Sequence, residues 1–200
     1  MRVIAGSAKG RVLKAVPGMN TRPTTDKVKE AIFSMIGPYF DGGWVLDLFA
    51  GTGGLGIEAL SRGAERAVFI DREKASVDVV RHNLAAAGVS DRAELYRNEA
   101  VRAVKALSKR ETKFRYVFLD PPYRMKDMDE LMAQLAEYGL LEDEAVIVIE
   151  HDAEHRYPET AAHFEQTKRS AYGDTAVTIY RYRPAAEAAH RTERPEQMED

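Results

Sequence analysis

From Trp44 onward the chain alternates apolar runs of strand length with amphipathic stretches of helix length, and few architectures accept that order. Strands are predicted at Trp44 to Phe49, Arg66 to Asp71, Ala93 to Arg97, Tyr116 to Leu119 and Ala145 to Glu150. Helices are predicted between them at Gly54 to Arg62, Lys74 to Ala87, Ala100 to Ser108 and Met128 to Tyr138. Strands joined by helices run parallel, and a parallel sheet is covered on both faces. Phe164 to Tyr172 and Ala176 to Tyr182 flank Gly173-Asp174-Thr175, which predicts a closing antiparallel hairpin. The expected fold is therefore α/β, a seven-stranded, mostly parallel, Rossmann-like sheet with an antiparallel edge.

Ahead of this sheet, Arg2 to Ala5 and Arg11 to Val16 are β-prone and flank the glycine-bounded basic turn Gly6-Ser7-Ala8-Lys9-Gly10. Such a hairpin is too small to fold alone. After Arg22-Pro23-Thr24-Thr25, positions Val28, Ala31, Ile32, Met35 and Ile36 have helical spacing, with Thr24 or Thr25 as cap and Gly37-Pro38 as stop. Residues 1–40 thus read as a hairpin and helix appendage, and residues 41–184 as the main domain. Residues 185–200, with almost no large apolar groups, read as a mobile acidic tail.

The absence of cysteine removes disulfides, zinc-thiolate sites and thiol nucleophiles, and fits a reducing cytoplasm. No apolar run approaches the roughly 18 residues that span a membrane, and the first residues lack the apolar core of an export signal. A cytoplasmic location without membrane attachment is expected. The net charge of −3 argues against general coating of a polyanion, but the charge is unevenly placed. Glu187, Glu193, Glu196, Glu199 and Asp200 outweigh Arg191 and Arg194 in the tail, which holds the whole excess. Arg2, Lys9, Arg11, Lys14, Arg22, Lys27 and Lys29 face only Asp26 and Glu30 in the first thirty residues, so that end is basic.

The first strand runs into Gly51-Thr52-Gly53-Gly54-Leu55-Gly56 and then a helix. Glycines at a strand-to-helix turn let a ligand approach the backbone, although the pattern alone is weak. Asp71, twenty residues after Gly51, ends the second strand where nucleotide-binding sheets grip ribose hydroxyls. Asp47 discriminates among ligands, because a carboxylate four residues before the loop opposes a pyrophosphate and welcomes a cation. S-adenosylmethionine offers a sulfonium, an ammonium and no phosphate. A nicotinamide cofactor is the weaker alternative, and a tight turn with a buried acid capping the next helix is the bland one. After the third strand, Asn98 is placed to accept from an adenine amino group or to cap a helix.

Asp120-Pro121-Pro122-Tyr123 follows the apolar run Tyr116-Val117-Phe118-Leu119. Two prolines neither donate to a sheet ladder nor continue a helix, so the strand stops with Asp120 and Tyr123 at its carboxyl end, where open α/β sheets bind ligands. An exocyclic amine on a nucleobase is a poor nucleophile because its lone pair is delocalised into the ring. Asp120 and the Pro121 carbonyl can accept both amine hydrogens and localise that pair, while Tyr123 can stack on a base that has left its helix.

These segments resemble the amino-methyltransferases of the class I, S-adenosylmethionine-dependent group. More specifically, Arg2-Val3-Ile4-Ala5-Gly6, Lys9-Gly10-Arg11, the run from Arg22-Pro23-Thr24-Thr25 to Glu30, and Phe49-Ala50-Gly51-Thr52-Gly53 resemble the RsmD family, in that order and over Arg2 to about Tyr182. The resemblance implies methylation of a guanine 2-amino group in small-subunit (16S) ribosomal RNA, with S-adenosylmethionine as donor and S-adenosylhomocysteine as product. It implies cofactor contacts from Thr24, Thr25, Asp47, Phe49, Ala50, Gly51, Thr52, Gly53, Asp71, Arg72, Asn98, Glu99, Ala100 and Asp120. The catalytic loop is then Asp120, Pro121, Pro122 and Tyr123. Arg2, Lys9, Arg11, Lys14 and Arg22 are expected to contact RNA. The expected partner is the ribosomal RNA within an assembling 30S particle, acted on by a monomer.

His151 and His155 have a spacing that suits metal ligation only on a helix, and they read instead as exposed loop histidines, so no metal is expected. Tyr172, Tyr180 and Tyr182 read as strand packing rather than a base-stacking platform. An adenine 6-amino methyltransferase acting on DNA or RNA would share the Asp-Pro-Pro-Tyr chemistry, but 200 residues leave no room for an extra DNA-reading domain. A nicotinamide oxidoreductase and a catalytically silent RNA-binding module are the remaining rivals.

Overall fold

The computed structural model describes residues 1–18 and 25–184. Helix α1 (Asp26–Ile36) precedes β1 (Trp44–Asp47), α2 (Gly54–Ser61), β2 (Arg66–Asp71), α3 (Lys74–Ala87), β3 (Ala93–Arg97), α4 (Ala100–Leu107), β4 (Phe114–Leu119), α5 (Met128–Glu137) and β5 (Leu141–Asp152). After these come β6 (Thr160–Ala161), β7 (Phe164–Tyr172) and β8 (Thr175–Tyr182). The strand order is β3-β2-β1-β4-β5-β8-β7-β6, parallel from β3 to β5 and antiparallel beyond. Eight strands replace the seven expected, because β6 has two residues and leaves no periodic trace in the sequence.

Alternation along the strands divides the core. Val45 of β1 and Phe69 of β2 bury against α1, α2 and α3, whereas Leu46 and Ile70 bury against α4 and α5. The helices therefore change face between β1 and β4, and the carboxyl ends of those two strands diverge into a crevice, the topological switch point of a doubly wound sheet.

The amino-terminal segment is docked by a few buried polar groups. Arg2 bridges Val12, and Val3 N and Leu13 N donate across the hairpin to the Arg11 and Met1 carbonyls at 2.9 Å. Val3, Ala8 and Leu13 join the same core as α1, α2 and α3. Glu58 of α2, fully buried, accepts from Ile4 N at 2.9 Å, Ala5 N at 3.0 Å and Arg62 Nε at 2.8 Å, and faces Lys29 Nζ at 3.3 Å. Lys29 also donates to the Arg2 carbonyl at 2.5 Å, and burial holds its ammonium below the ordinary lysine range. Ser61 Oγ donates to the Ala5 carbonyl at 2.6 Å and accepts from Ala8 N at 2.9 Å. Gly6, at φ +87°, approaches α2 so closely that a Cβ would stand 1.8 Å from the Ser61 carbonyl oxygen, which leaves glycine the one residue that fits.

β8 pairs with β5 as far as Asp152, so β5 extends beyond the expected Glu150 and carries His151 inside. His151 is buried rather than an exposed loop residue. Its Nε2 lies 2.8 Å from Thr178 Oγ1 and its Nδ1 2.8 Å from the Asp152 carbonyl, and burial lowers its pKa. His155 is partly buried and meets Tyr157 edge on, with ring centroids 4.4 Å apart. Tyr180 is fully buried with its Oη donating to the Pro158 carbonyl at 2.5 Å, and Tyr182 packs on Phe164. Among the described residues no helix is long and apolar enough to cross a membrane. Arg22, Thr24 and the expected tail at 185–200 lie outside the described residues.

Candidate active site

At the switch point lies a cavity of about 730 Å³. Parallel register sets Asp47, the last residue of β1, beside Phe69 of β2 and Phe118 of β4, so the three strands deliver their following loops to one rim. The glycine loop, Asp71-Arg72, Asn98-Glu99-Ala100 and Asp120 to Tyr123 all line this space.

The glycine-loop half is held by backbone amides. Gly53, at φ +79°, ends the loop as the N-cap of α2, and its N–H donates to the Ala50 carbonyl at 2.7 Å. Asp71 accepts from Gly51 N and Glu73 N, each at 2.9 Å, and so ties the loop to the end of β2 and the start of α3. Two amides use about half of a carboxylate's four acceptor sites, which leaves capacity for ligand hydroxyls. Asn83 of α3, fully buried, donates to the Thr52 carbonyl at 2.8 Å and to the Lys14 carbonyl at 3.0 Å, and its Oδ1 accepts from Lys14 N at 2.8 Å. One amide side chain thus clamps the glycine loop to the amino-terminal segment.

Asp47 is 1% exposed, and its Oδ2 accepts from Gly56 N at 3.2 Å, in the first turn of α2. Its Oδ1 is buried and no donor among the described residues reaches it with hydrogen-bond geometry, the Phe49 amide acting on the carboxylate only as a nearby, misaligned dipole. Desolvation raises its pKa to about 7, with Asp71 adding to the rise and the Gly56 and Phe49 amides opposing it. The helix-capping duty is therefore real but uses one oxygen, and the other is a buried acceptor on a cavity wall. A pyrophosphate would be repelled there, whereas a cationic group would relieve both the missing hydrogen bond and the cost of ionisation.

On the other half, Pro121 is buried and Pro122 and Tyr123 are exposed, Tyr123 at 38%. Met125 N donates to the Pro122 carbonyl at 2.8 Å, closing the turn that follows the prolines. Asp120 continues β4, whose Leu119 pairs with Ile149, so Asp120 stands next to Glu150 of β5, a buried acid on the same wall.

The structure brings together Asp47, Phe49, Ala50, Gly51, Thr52, Asp71, Arg72, Asn98, Glu99, Ala100, Asp120, Pro121, Pro122 and Tyr123 around one space. Gly53 shapes the loop from behind that wall, and Thr25 caps α1 instead, its Oγ1 accepting from Val28 N at 3.2 Å. Asn98 does not cap α4, whose N-cap is Glu99 with no side-chain bond; its Oδ1 accepts from Glu99 N at 2.9 Å. Arg2, Lys9, Arg11 and Lys14 are exposed on the hairpin. Met1, Val16, Lys29 and Glu150 also line the cavity, and sequence reasoning missed them because only tertiary docking carries them there.

The family model described as conserved hypothetical protein 95 matches residues 1–181. YlbH of Bacillus subtilis (strain 168) is 55% identical over 92% of this chain and 100% of its own length. Ribosomal RNA small subunit methyltransferase D of Escherichia coli (strain K12) is 33% identical over 90% of this chain and 89% of its own. Among solved structures, yhhF of Escherichia coli superposes with a TM-score of 0.76 at 34% identity, covering 92% of this chain and 98% of that one. Matched along nearly its whole described length by the family model and by these relatives, the chain belongs to the RsmD family, within the class I methyltransferase fold.

Proposed function

We propose that this protein transfers a methyl group from S-adenosylmethionine to the 2-amino group of a guanine in small-subunit ribosomal RNA. The observation that carries the proposal is the opposition, across one cavity, of the buried unpartnered Asp47 oxygen and the Asp120-Pro121-Pro122-Tyr123 loop. The name of the Escherichia coli relative supports the RNA substrate.

Asp47 would hold the donor's cationic end where the glycine loop lets it approach the backbone closely, Asp71 its ribose hydroxyls and Asn98 its adenine. Bound there, the donor supplies an electrophilic methyl group on a positively charged sulfur. Asp120 and the Pro121 carbonyl accept the two amine hydrogens of the target base and draw its nitrogen toward tetrahedral geometry. The amine turns strongly acidic only as the new bond forms, so Asp120 orients first and takes a proton late. Tyr123 stacks on the base, and the exposed hairpin cations contact phosphates. The enzyme works in the cytoplasm, as a monomer, on RNA within an assembling 30S particle.

The test is nucleoside mass spectrometry of small subunits from a deletion strain after incubation with the purified protein and S-adenosylmethionine. N2-methylguanosine is the expected product. N6-methyladenosine, or calorimetric binding of NAD without binding of S-adenosylhomocysteine, would overturn the assignment.

A further inference from the structure

The two prolines fix the backbone that delivers Tyr123, but they do not fix the ring. A tyrosine at a cavity mouth turns about two side-chain bonds, and a stacking surface that turns loses much of its use. The far end of this ring is held. Tyr123 Oη is hydrogen-bonded to Thr175 Oγ1, a contact between residues 52 apart in sequence.

Thr175 is itself well anchored. It is 6% exposed and opens β8, where it pairs with Asp152 of β5 and Tyr172 of β7. The preceding turn is pinned to the end of β5, because Ala153 N donates to the Asp174 carbonyl at 2.9 Å. A β-branched side chain in a strand has a stiff χ1, so the threonine hydroxyl stays where the sheet puts it. Thr175 is absent from the cavity wall and reaches the site only through the tyrosine.

We propose that Thr175 is a positioning residue for methyl transfer, fixing the direction of the Tyr123 ring axis, and so where the ring sits over the cavity mouth, so that the target base stacks with its amine at Asp120. The antiparallel edge hairpin then sets acceptor geometry, a task no residue of the Asp-Pro-Pro-Tyr loop performs for itself. The proposal rests on Tyr123 serving as the stacking surface. Holding the ring at both ends restricts its orientations before the RNA arrives, which is how a single neutral hydrogen bond can matter to rate.

The experiment compares Thr175→Val, Thr175→Ser, Tyr123→Phe and the double variant Thr175→Val with Tyr123→Phe on small subunits from the deletion strain. The valine and phenylalanine variants should each lower kcat about threefold to tenfold, the range that one net hydrogen bond supplies, with the KM for RNA nearly unchanged. The double variant should be no slower than the slower single variant, since both remove the same contact. Thr175→Ser should restore most of the rate, and all four should bind S-adenosylhomocysteine as the wild type does. Losses that multiply in the double variant, an unaltered Thr175→Val, or a parallel loss of S-adenosylhomocysteine binding would each overturn the proposal. A wild type that methylates no RNA would instead sink the proposed function and take this inference with it.

Discussion

The two halves of the cavity are built by opposite means. On the glycine-loop side, hydrogen bonds to the backbone fix the turns: Asp71 holds two amides, the buried Asn83 holds Thr52, and the buried Glu58 holds the docked amino terminus. On the Asp-Pro-Pro-Tyr side, proline geometry, the Met125 amide on the Pro122 carbonyl and the Tyr123–Thr175 hydroxyl contact help set the shape, and Tyr123 and Pro122 remain open to solvent. In the proposed function the first half meets a small ligand and is already shaped for it, while the second meets RNA, a large partner. Rigidity is placed where the ligand brings little structure of its own.

Four variants would break or sharpen that contrast. The largest effect belongs to Glu58→Ala, which leaves Lys29 and Arg62 buried without their counter-charge. It should cost about 3–5 kcal/mol of unfolding free energy in denaturant titration. A loss under about 1 kcal/mol would mean that the network is not what docks the amino terminus. Next, Asp120→Ala should slow methyl transfer by about 10²–10³-fold while leaving S-adenosylhomocysteine affinity nearly intact, as befits the open half. Equal loss of both would make Asp120 a structural residue.

Asp47→Asn should weaken S-adenosylhomocysteine binding by about tenfold to thirtyfold at pH 8, since the ammonium loses its charged partner. The same acid predicts a pH dependence. Its folded-state pKa is about 7 against an ordinary 3.8, so between those values the folded chain holds more protons than the unfolded one. Asp47 therefore costs stability as pH rises from about 4 through 7, and Asp47→Asn should stabilise the ligand-free protein at pH 8 by on the order of 4 kcal/mol. Ligand affinity should run the other way, strengthening as pH rises through 7, with proton release on binding below that pH. Calorimetry in buffers of different ionisation enthalpy reads this directly, and a buffer-independent enthalpy at pH 6.5 would show that Asp47 does not ionise on binding.

The smallest effect concerns the surface. Neutralising Lys9, Arg11 and Lys14 together should weaken RNA binding modestly and reduce the slope of log affinity against log salt by about 2. An unchanged slope would move the RNA-binding face elsewhere.

Much of this was legible in the sequence where local chemistry decides the outcome. α3 is predicted and observed at Lys74 to Ala87, because its apolar spacing and the Gly88 stop are local. Asp47 stands out for the same reason, since its distance from the glycine loop already dictates which charge the site accepts. The illegible features depend on pairing. His151 reads as a loop residue until β8 lies beside β5, and nothing near Glu58 announces that it will accept from amides 53 and 54 positions away. Asn98 shows a third kind of limit, because cap and ligand contact require the same residue type, and the placement of Glu99 as N-cap removes the first of the two readings.

The two-residue strand that no periodicity revealed has a consequence for how these molecules behave in a crowd. An open sheet has two edges, each a template for another chain's strand. Here one edge ends in β6, which pairs with β7 only at Glu165 and Phe164, and the rest of β7 is charged at Lys168 and Arg169 and irregular between Gln166 and Lys168. At the opposite edge, β3 carries Glu94 bound to Arg110 through two bonds of 2.7 and 2.9 Å. A blunt, bulged, charged rim at one end and a salt-bridged strand at the other give a neighbouring copy little to pair with. The same sheet that opens the cavity at its switch point thus presents two edges that disfavour pairing with another chain's strand.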